Sequence, residues 1–289
     1  MNNKKIEYLV NCMLEYGSDS SCPYCHSKDV KVIDRKYFFA RLMECNNCHL
    51  YFRHPKDNKD ESRLFYQSDY EETDITRNIP DPDQLKEFKK TSFQNSGKDY
   101  NEKIETITSL LPSTPAIKIV DYGSSWGYAS YQFKQRNFQV QSFEISIPTA
   151  KKGNELLDLD IKTTVSELLP GNNVFFSAHV IEHLPDLIDF FAIAKKLLLE
   201  DGLMITYCPN GSSEFRKKHP LAFHSIWGMV HPNYLNSEFF KYVFARNPYL
   251  ITSAPYDLSF IQSWNRRDQV VGQLDGDEIL AVAVVNKLI

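Results

Sequence analysis

Several features that would classify the chain at once are missing. No apolar run approaches the ~20 residues of a membrane-crossing helix; the longest, Ile279 to Val285, is far shorter. The opening MNNKKIEYLVNCMLEYGSDS carries two lysines followed by a short mixed segment with Glu7 inside it, so a secretory signal's uninterrupted apolar core is absent. Positive charge is not in excess: 33 Lys and Arg against 37 Asp and Glu leave a formal −4. A polyanion therefore has no global footprint to bind, and nucleic acid is not the expected partner. Neither an internal repeat nor a low-complexity tract is present. These absences lead us to expect a cytoplasmic chain with no membrane partner. What is present suffices for a large core: 289 residues, 42% hydrophobic and 13% aromatic, fit one large domain or one plus a small module.

The first specific signal is in the cysteines. Of six, four form the pairs Cys22-Pro-Tyr-Cys25 and Cys45-Asn-Asn-Cys48, with 19 residues between them. That spacing is expected of a structural zinc site, because two intervening residues let a tight knuckle point both sulfurs at one ion. The segment Val30–Glu44 between the knuckles is rich in β-branched and aromatic residues and supplies two ribbon strands. With four thiolates the site is closed to a catalytic water, and His26 and His49 read as neighbours of the site. A module of residues 1–56 buries little apolar surface, so metal supplies much of its folding free energy.

Residues 57–115 are polar and punctuated by prolines, and read as a helical connector or lid with helices over Leu85–Phe93 and Tyr100–Leu111. Tyr66 and Tyr70 within it read as packing between module and main domain, or as a lid. Residues 116–289 then alternate strand and helix. Strands are expected at Ile117–Asp121, Phe138–Glu144, Asn173–Ala178 and Leu203–Tyr207, and helices at Trp126–Arg136, Pro148–Leu157, Asp186–Leu199 and Ser237–Arg246. This is the pattern of a doubly wound, mostly parallel α/β sheet. The turn signal Leu274-Asp-Gly-Asp277 separates two final strands and predicts a closing antiparallel hairpin.

The chemistry is concentrated in Asp121-Tyr-Gly123-Ser124-Ser125-Trp-Gly127, at the end of the first strand, where open α/β sheets bind ligands. Ser125 and Tyr128 stand where a dinucleotide fingerprint needs glycines, and no Gly-Lys-Ser/Thr makes a phosphate loop. An acid at Asp121 would repel a phosphate and suits a ligand carrying an amine and a sulfonium. Glu144, 21 residues after Gly123 at the end of the second strand, is placed to accept from both hydroxyls of a ribose.

These residues resemble the class I S-adenosylmethionine-dependent methyltransferases. Asp121-x-Gly123-x-x-x-Gly127 is similar to that family's first motif and Glu144 to its ribose-binding acid. Ser177-Ala-His179-Val-Ile-Glu182-His183-Leu184 and Tyr207-Cys-Pro209-Asn210 resemble the segments after its fourth and fifth strands. The resemblance covers about Ile117 to Ile289 and implies a seven-stranded sheet whose last strand is antiparallel, behind a four-cysteine zinc ribbon. It further implies S-adenosylmethionine as cofactor, held by Asp121, Gly123, Ser124, Ser125, Gly127, Glu144, Ile145, Ala178 and His179. Methyl transfer from a sulfonium requires alignment and, for an alcohol acceptor, loss of a proton, for which histidine is the natural base.

Four histidines are candidates for that work: His179, His183, His224 and His231. His179 to His183 also spells His-x-x-Glu-His, a zinc-protease motif, but it lies at a strand end and no downstream glutamate ligand is evident. Glu182 and His183 read as helix caps, with a second divalent ion left open. His224 and His231 follow the fifth strand, where the fold inserts its acceptor loop, and Phe223, Trp227 and Tyr234 beside them suit an aromatic wall for a sugar or planar acceptor. The expected reaction is methylation of a small-molecule or carbohydrate acceptor on oxygen. The alternatives are an RNA base methyltransferase that grips RNA through Lys28, Lys31, Arg35, Lys36, Arg41 and Arg53, or a non-catalytic binding protein that kept the fold.

Overall fold

In the computed structural model, which describes residues 3–56, 79–111 and 116–285, twelve strands form two sheets. The larger has β4 (Lys118–Tyr122), β5 (Gln139–Phe143), β6 (Ile161–Lys162), β7 (Asn172–Ala178) and β8 (Leu198–Pro209) parallel in the order β6–β5–β4–β7–β8. β12 (Glu278–Val284) runs antiparallel to β8 on one side and to β10 (Tyr249–Ser253) on the other. An outer strand, β11 (Gln269–Val271), lies parallel to β10.

Two expectations are corrected here. The sheet has eight strands, not seven, because β11 extends its edge. The closing hairpin is also not formed, since β11 and β12 sit on opposite sides of β10. All five residues of β10 are buried, which makes it an interior strand. The Asp275–Gly276 turn is pinned elsewhere: Asn210 Nδ2 donates to the carbonyls of Leu274 and Gly276 at 2.8 and 2.7 Å. An Asp-Gly pair reverses the chain locally but does not choose which strand lies next door.

Helices cover both faces of this sheet. On one, α3 (Asn101–Leu110), α4 (Tyr128–Gln135) and α10 (Leu258–Ser263) bury Ile104, Ile107, Phe133 and Ile261 against Phe176, Tyr207 and Val282. On the other, α6 (Leu187–Leu197) and α9 (Ser237–Val243) set Phe190, Phe191, Phe239 and Phe240 against Val120, Phe175 and Ile279. At the β6 end, α2 (Pro82–Lys90) and α5 (Ile147–Leu157) place Leu85 and Ala150 in a cluster with Phe93, Trp126 and Ile161. A capping box between Asp81 and Gln84 starts α2. The helices expected in a connector thus pack on the large domain. Tyr66 and Tyr70 lie outside the described residues.

The smaller sheet has the order β1 (Val30–Lys36), β2 (Ala40–Cys45), β3 (Tyr51–His54) and β9 (Asn233–Tyr234). Its fourth strand belongs to the insert after β8, which also carries α7 (Ser213–Lys218) and α8 (Pro220–Ile226). Phe215, Phe223, Trp227 and Tyr234 of the insert are buried with Ala40, Leu42 and Cys12, the last from α1 (Asn3–Leu14). Polar side chains complete the seam. Arg53 Nη1 donates to the carbonyls of Gly228 and Met229, Lys36 Nζ to those of Ser225 and Trp227, and Arg216 Nη2 to that of Ile33. No helix among the described residues is long and apolar enough to cross a membrane.

Candidate functional site

The turn after β4 is shaped by two glycines. Gly123 has φ +82° and Gly127 φ +85°, conformations that side-chain-bearing residues rarely adopt. A Cβ on Gly123 would sit 2.3 Å from Val180 Cγ2, and one on Gly127 2.4 Å from Leu159 Cδ1. The segment after β7 therefore lies directly against the glycine turn, and no larger residue fits between them.

Glu144, at the end of β5, ties this turn together. Its carboxylate accepts from the backbone N–H of Ser125 at 2.9 Å and of Ser146 at 2.8 Å. The hydroxyls of Ser124 and Ser125 are buried with no hydrogen-bond partner among the described residues, a condition that a bound ligand relieves. Asp121 is buried behind the turn and accepts from Ser130 Oγ at 2.6 Å. Burial raises its carboxyl to about 7, and the Glu144 charge adds to the rise against the Ser130 bond. A ligand cation placed here would favour the ionised form. Ala178 ends β7 and is part-buried, and Ile145, beyond Glu144, is 40% exposed. The turn, its orphaned hydroxyls and the acid at the end of β5 thus fit the cofactor expected from the sequence.

His179 begins the neighbouring segment with φ +55°, and its backbone N–H donates to the Tyr207 carbonyl at 2.9 Å. Its ring bridges two acids, with Nε2 2.7 Å from Glu278 and Nδ1 3.4 Å from Glu182. Desolvation opposes charge on the half-exposed ring, but the two carboxylates prevail and raise it to about 10, which favours the imidazolium. Lys103 Nζ and the Tyr256 hydroxyl, at 2.8 and 2.6 Å, complete the shell of Glu278.

Glu182 and His183 are not helix caps. Residues Ile181–His183 form a single 3-10 turn, and the N-cap of α6 is Asp186, which accepts from the N–H groups of Ile188 and Asp189. The ring of His183 instead meets that of His231, 48 residues later in the chain and in the insert after β8, with centroids 4.8 Å apart. His224 is placed differently: its Nδ1 is 2.8 Å from Asp34 Oδ2 on β1, an oxygen shared with Trp227 Nε1 at 2.9 Å. The aromatic wall is corrected as well. Phe223, Trp227 and Tyr234 are at most 1% exposed and form the seam with the small sheet, because an insert pinned there buries its rings inward. A cavity of about 260 Å³ does open at that seam, between Arg53 and Lys56 on one side and Leu184, Asp186 and Pro232 on the other. Sequence reasoning missed Lys103, Tyr256 and Glu278, which no local motif marks.

The four paired cysteines converge. Cys22 and Cys48 sulfurs are 3.5 Å apart, Cys25 and Cys45 sulfurs 3.4 Å, and all four lie within 4.8 Å of one another. A zinc ion with Zn–S bonds of ~2.3 Å needs sulfurs about 3.8 Å apart, so the set fits. His26 and His49, outside the cluster, end the knuckles with φ +57° and +62°, and their N–H groups donate to the carbonyls of Cys22 and Cys45. Tyr24, inside the first knuckle, packs edge-on against Phe191 and Phe239 of the large domain.

No protein-family model and no curated protein matches the chain. Among solved structures, it is similar to the plantazolicin methyltransferase BpumL in complex with SAH, with a TM-score of 0.52 and 15% identity over 79% of this chain and 95% of that one. BpumL bound to a monoazolic desmethylPZN analog and SAH gives 0.50, with 15% identity over 79% and 96%. Geranyl diphosphate C-methyltransferase from Streptomyces coelicolor A3(2) gives 0.48, with 14% identity over 78% and 97%. Together with the strand order and the reversed β12, the BpumL likeness shows that the chain has the fold of the S-adenosylmethionine-dependent methyltransferases.

Proposed function

We propose that the chain is an S-adenosylmethionine-dependent methyltransferase acting on oxygen of a small-molecule or carbohydrate acceptor, with the N-terminal sheet a zinc ribbon that holds the acceptor loop. The observation that carries this reading is the glycine turn Asp121–Gly127 at the end of β4, closed by Glu144 and lined by two unpartnered serine hydroxyls. The cofactor supplies a methyl group on a sulfonium, and the protein's task is alignment. Glu144 and Ile145 flank the ribose and adenine, the turn at Gly123, Ser124 and Ser125 faces the methionine moiety, and Asp121 balances the amine and sulfonium charge. In the acid–histidine cluster after β7, His179, whose charged form its two carboxylates favour, stabilises negative charge on the acceptor oxygen.

The cavity beside Leu184 and Pro232 has the size of a small acceptor and follows His183 and His231 along the chain, which supports that acceptor class. RNA is a weaker fit, because Lys36, Arg41 and Arg53 of the basic ribbon are spent on backbone carbonyls. Four free thiols gathered for metal support a reducing, cytoplasmic setting. Calorimetric titration with S-adenosylmethionine tests the central claim: wild type binds, and Gly123→Arg loses at least about 100-fold in affinity because of the 2.3 Å approach of Val180. A folded wild type that binds neither the cofactor nor its demethylated product refutes the enzyme reading.

A further inference from the structure

Glu182 is a buried acid, 1% exposed, whose two oxygens lack a hydrogen-bond partner among the described residues. The nearest histidine nitrogens are His179 Nδ1 at 3.4 Å and His183 Nε2 at 3.8 Å. A buried carboxylate is normally paired, hydrogen-bonded or bound to a metal.

The two histidines beside it are oriented by their far nitrogens. His183 Nδ1 is 2.7 Å from the Val230 carbonyl, and His231 Nδ1 is 2.8 Å from that of Ile226. A carbonyl only accepts, so each Nδ1 carries the proton and the neutral ring keeps its lone pair on Nε2. Metal-binding histidines are fixed in this way, with the non-ligating nitrogen donating to a carbonyl or carboxylate. One donor atom from each of Glu182, His183 and His231 lies within 4.8 Å of the others. Both orienting carbonyls belong to the insert loop, whose backbone Arg53 also holds through Gly228 and Met229.

We propose that Glu182, His183 and His231 bind one divalent transition-metal ion, of the zinc, manganese or iron(II) class, distinct from the four-cysteine site. Two imidazole nitrogens and one carboxylate oxygen suit that class better than magnesium or calcium, which take all-oxygen shells. Three protein ligands leave positions open. Val180, in the same segment, touches the glycine turn, so those positions stand beside the cofactor site and are suited to an acceptor's hydroxyl or diol oxygens. That role rests on the methyltransferase reading; the ion site does not.

The test uses the full chain with its cysteines loaded with zinc, titrated with cobalt(II) and followed by calorimetry and visible absorption. Wild type is expected to take up one further ion with weak nitrogen–oxygen bands and no new thiolate charge-transfer band. Glu182→Gln, of equal size, and His231→Ala each weaken uptake at least about 100-fold, whereas His224→Ala changes it less than about threefold. Melting temperatures establish that each variant is folded. If His231→Ala does not fold, wild type and Glu182→Gln decide alone. No saturable uptake by wild type overturns the proposal, and so does equal affinity in Glu182→Gln. S-adenosylmethionine titrated into the same samples separates the two claims: a second ion without cofactor binding keeps the ion site and removes the methyltransferase reading.

Discussion

The glycine turn and the acid–histidine cluster stand at the ends of neighbouring strands, β4 and β7, but they are assembled in opposite ways. The turn is local. Asp121, Gly123, Ser125 and Glu144 fall within two dozen residues, and backbone geometry does most of the shaping. The cluster is long-range. His231 reaches His183 because the insert that carries it is docked on a sheet made by the chain's first 54 residues. One side of the site is therefore set by a turn, the other by tertiary structure that includes the four-cysteine cluster.

That contrast can be broken experimentally. On the proposed zinc ribbon, the largest effect is expected from Cys22→Ser, because structural zinc contributes on the order of 10 kcal/mol in comparable modules. Zinc content of the cysteine site falls toward zero and the small sheet unfolds, taking the position of His231 with it, while cofactor affinity changes less than about threefold. Equal losses on both sides would show that the halves are not separately built. The readouts are metal analysis, thermal melting and calorimetry on one preparation.

A smaller effect tests the turn. Asp121 keeps its proton up to about 7 when folded but loses it near 3.8 in the unfolded chain. Between those values the folded state binds more protons, so this group's contribution is most favourable below pH 4 and is lost as pH rises through 7. The full rise amounts to on the order of 4 kcal/mol. Asp121→Asn is expected to melt with wild type near pH 4 and above it at pH 8, with weaker cofactor binding at the higher pH. Parallel melting curves across that range would remove Asp121 as a buried, ionisable part of the turn.

The smallest effect is reserved for His224→Ala. Its partner Asp34 keeps the Trp227 Nε1 bond, and the pair is half-exposed, so the loss is under about 1 kcal/mol. Turnover should be close to that of wild type. A drop matching that of His231→Ala would place His224 in the acceptor side after all.

What the sequence made legible follows the same division. Both Cys-x-x-Cys knuckles, the glycine turn, Glu144 and the core strands are written in short stretches; three of the four strands are found within a residue of where the pattern puts them, and the fourth, expected at Leu203–Tyr207, runs from Leu198 to Pro209. Strand adjacency is not written that way. The two residues of β9 carry no strand signal of their own and pair because β3 offers an edge. The turn at Asp275–Gly276 was readable, but its neighbours were not, since the buried run of β10 decides them. His224 and His231 look alike in sequence, seven residues apart in one insert. Asp34 and Glu182, far away in the chain, separate their surroundings.

The shared small sheet has a consequence for the order in which the protein is made. β3 ends at His54, but its partner begins at Asn233, so the cysteine knuckles leave the ribosome well before the strand that closes their sheet. At about 5–20 residues per second, the edge of β3 waits roughly 10–40 s for its neighbour. On the proposed zinc ribbon, metal capture precedes sheet closure; in any case a nascent chain stalled between the two carries an open strand edge, the kind of edge that pairs with the wrong chain.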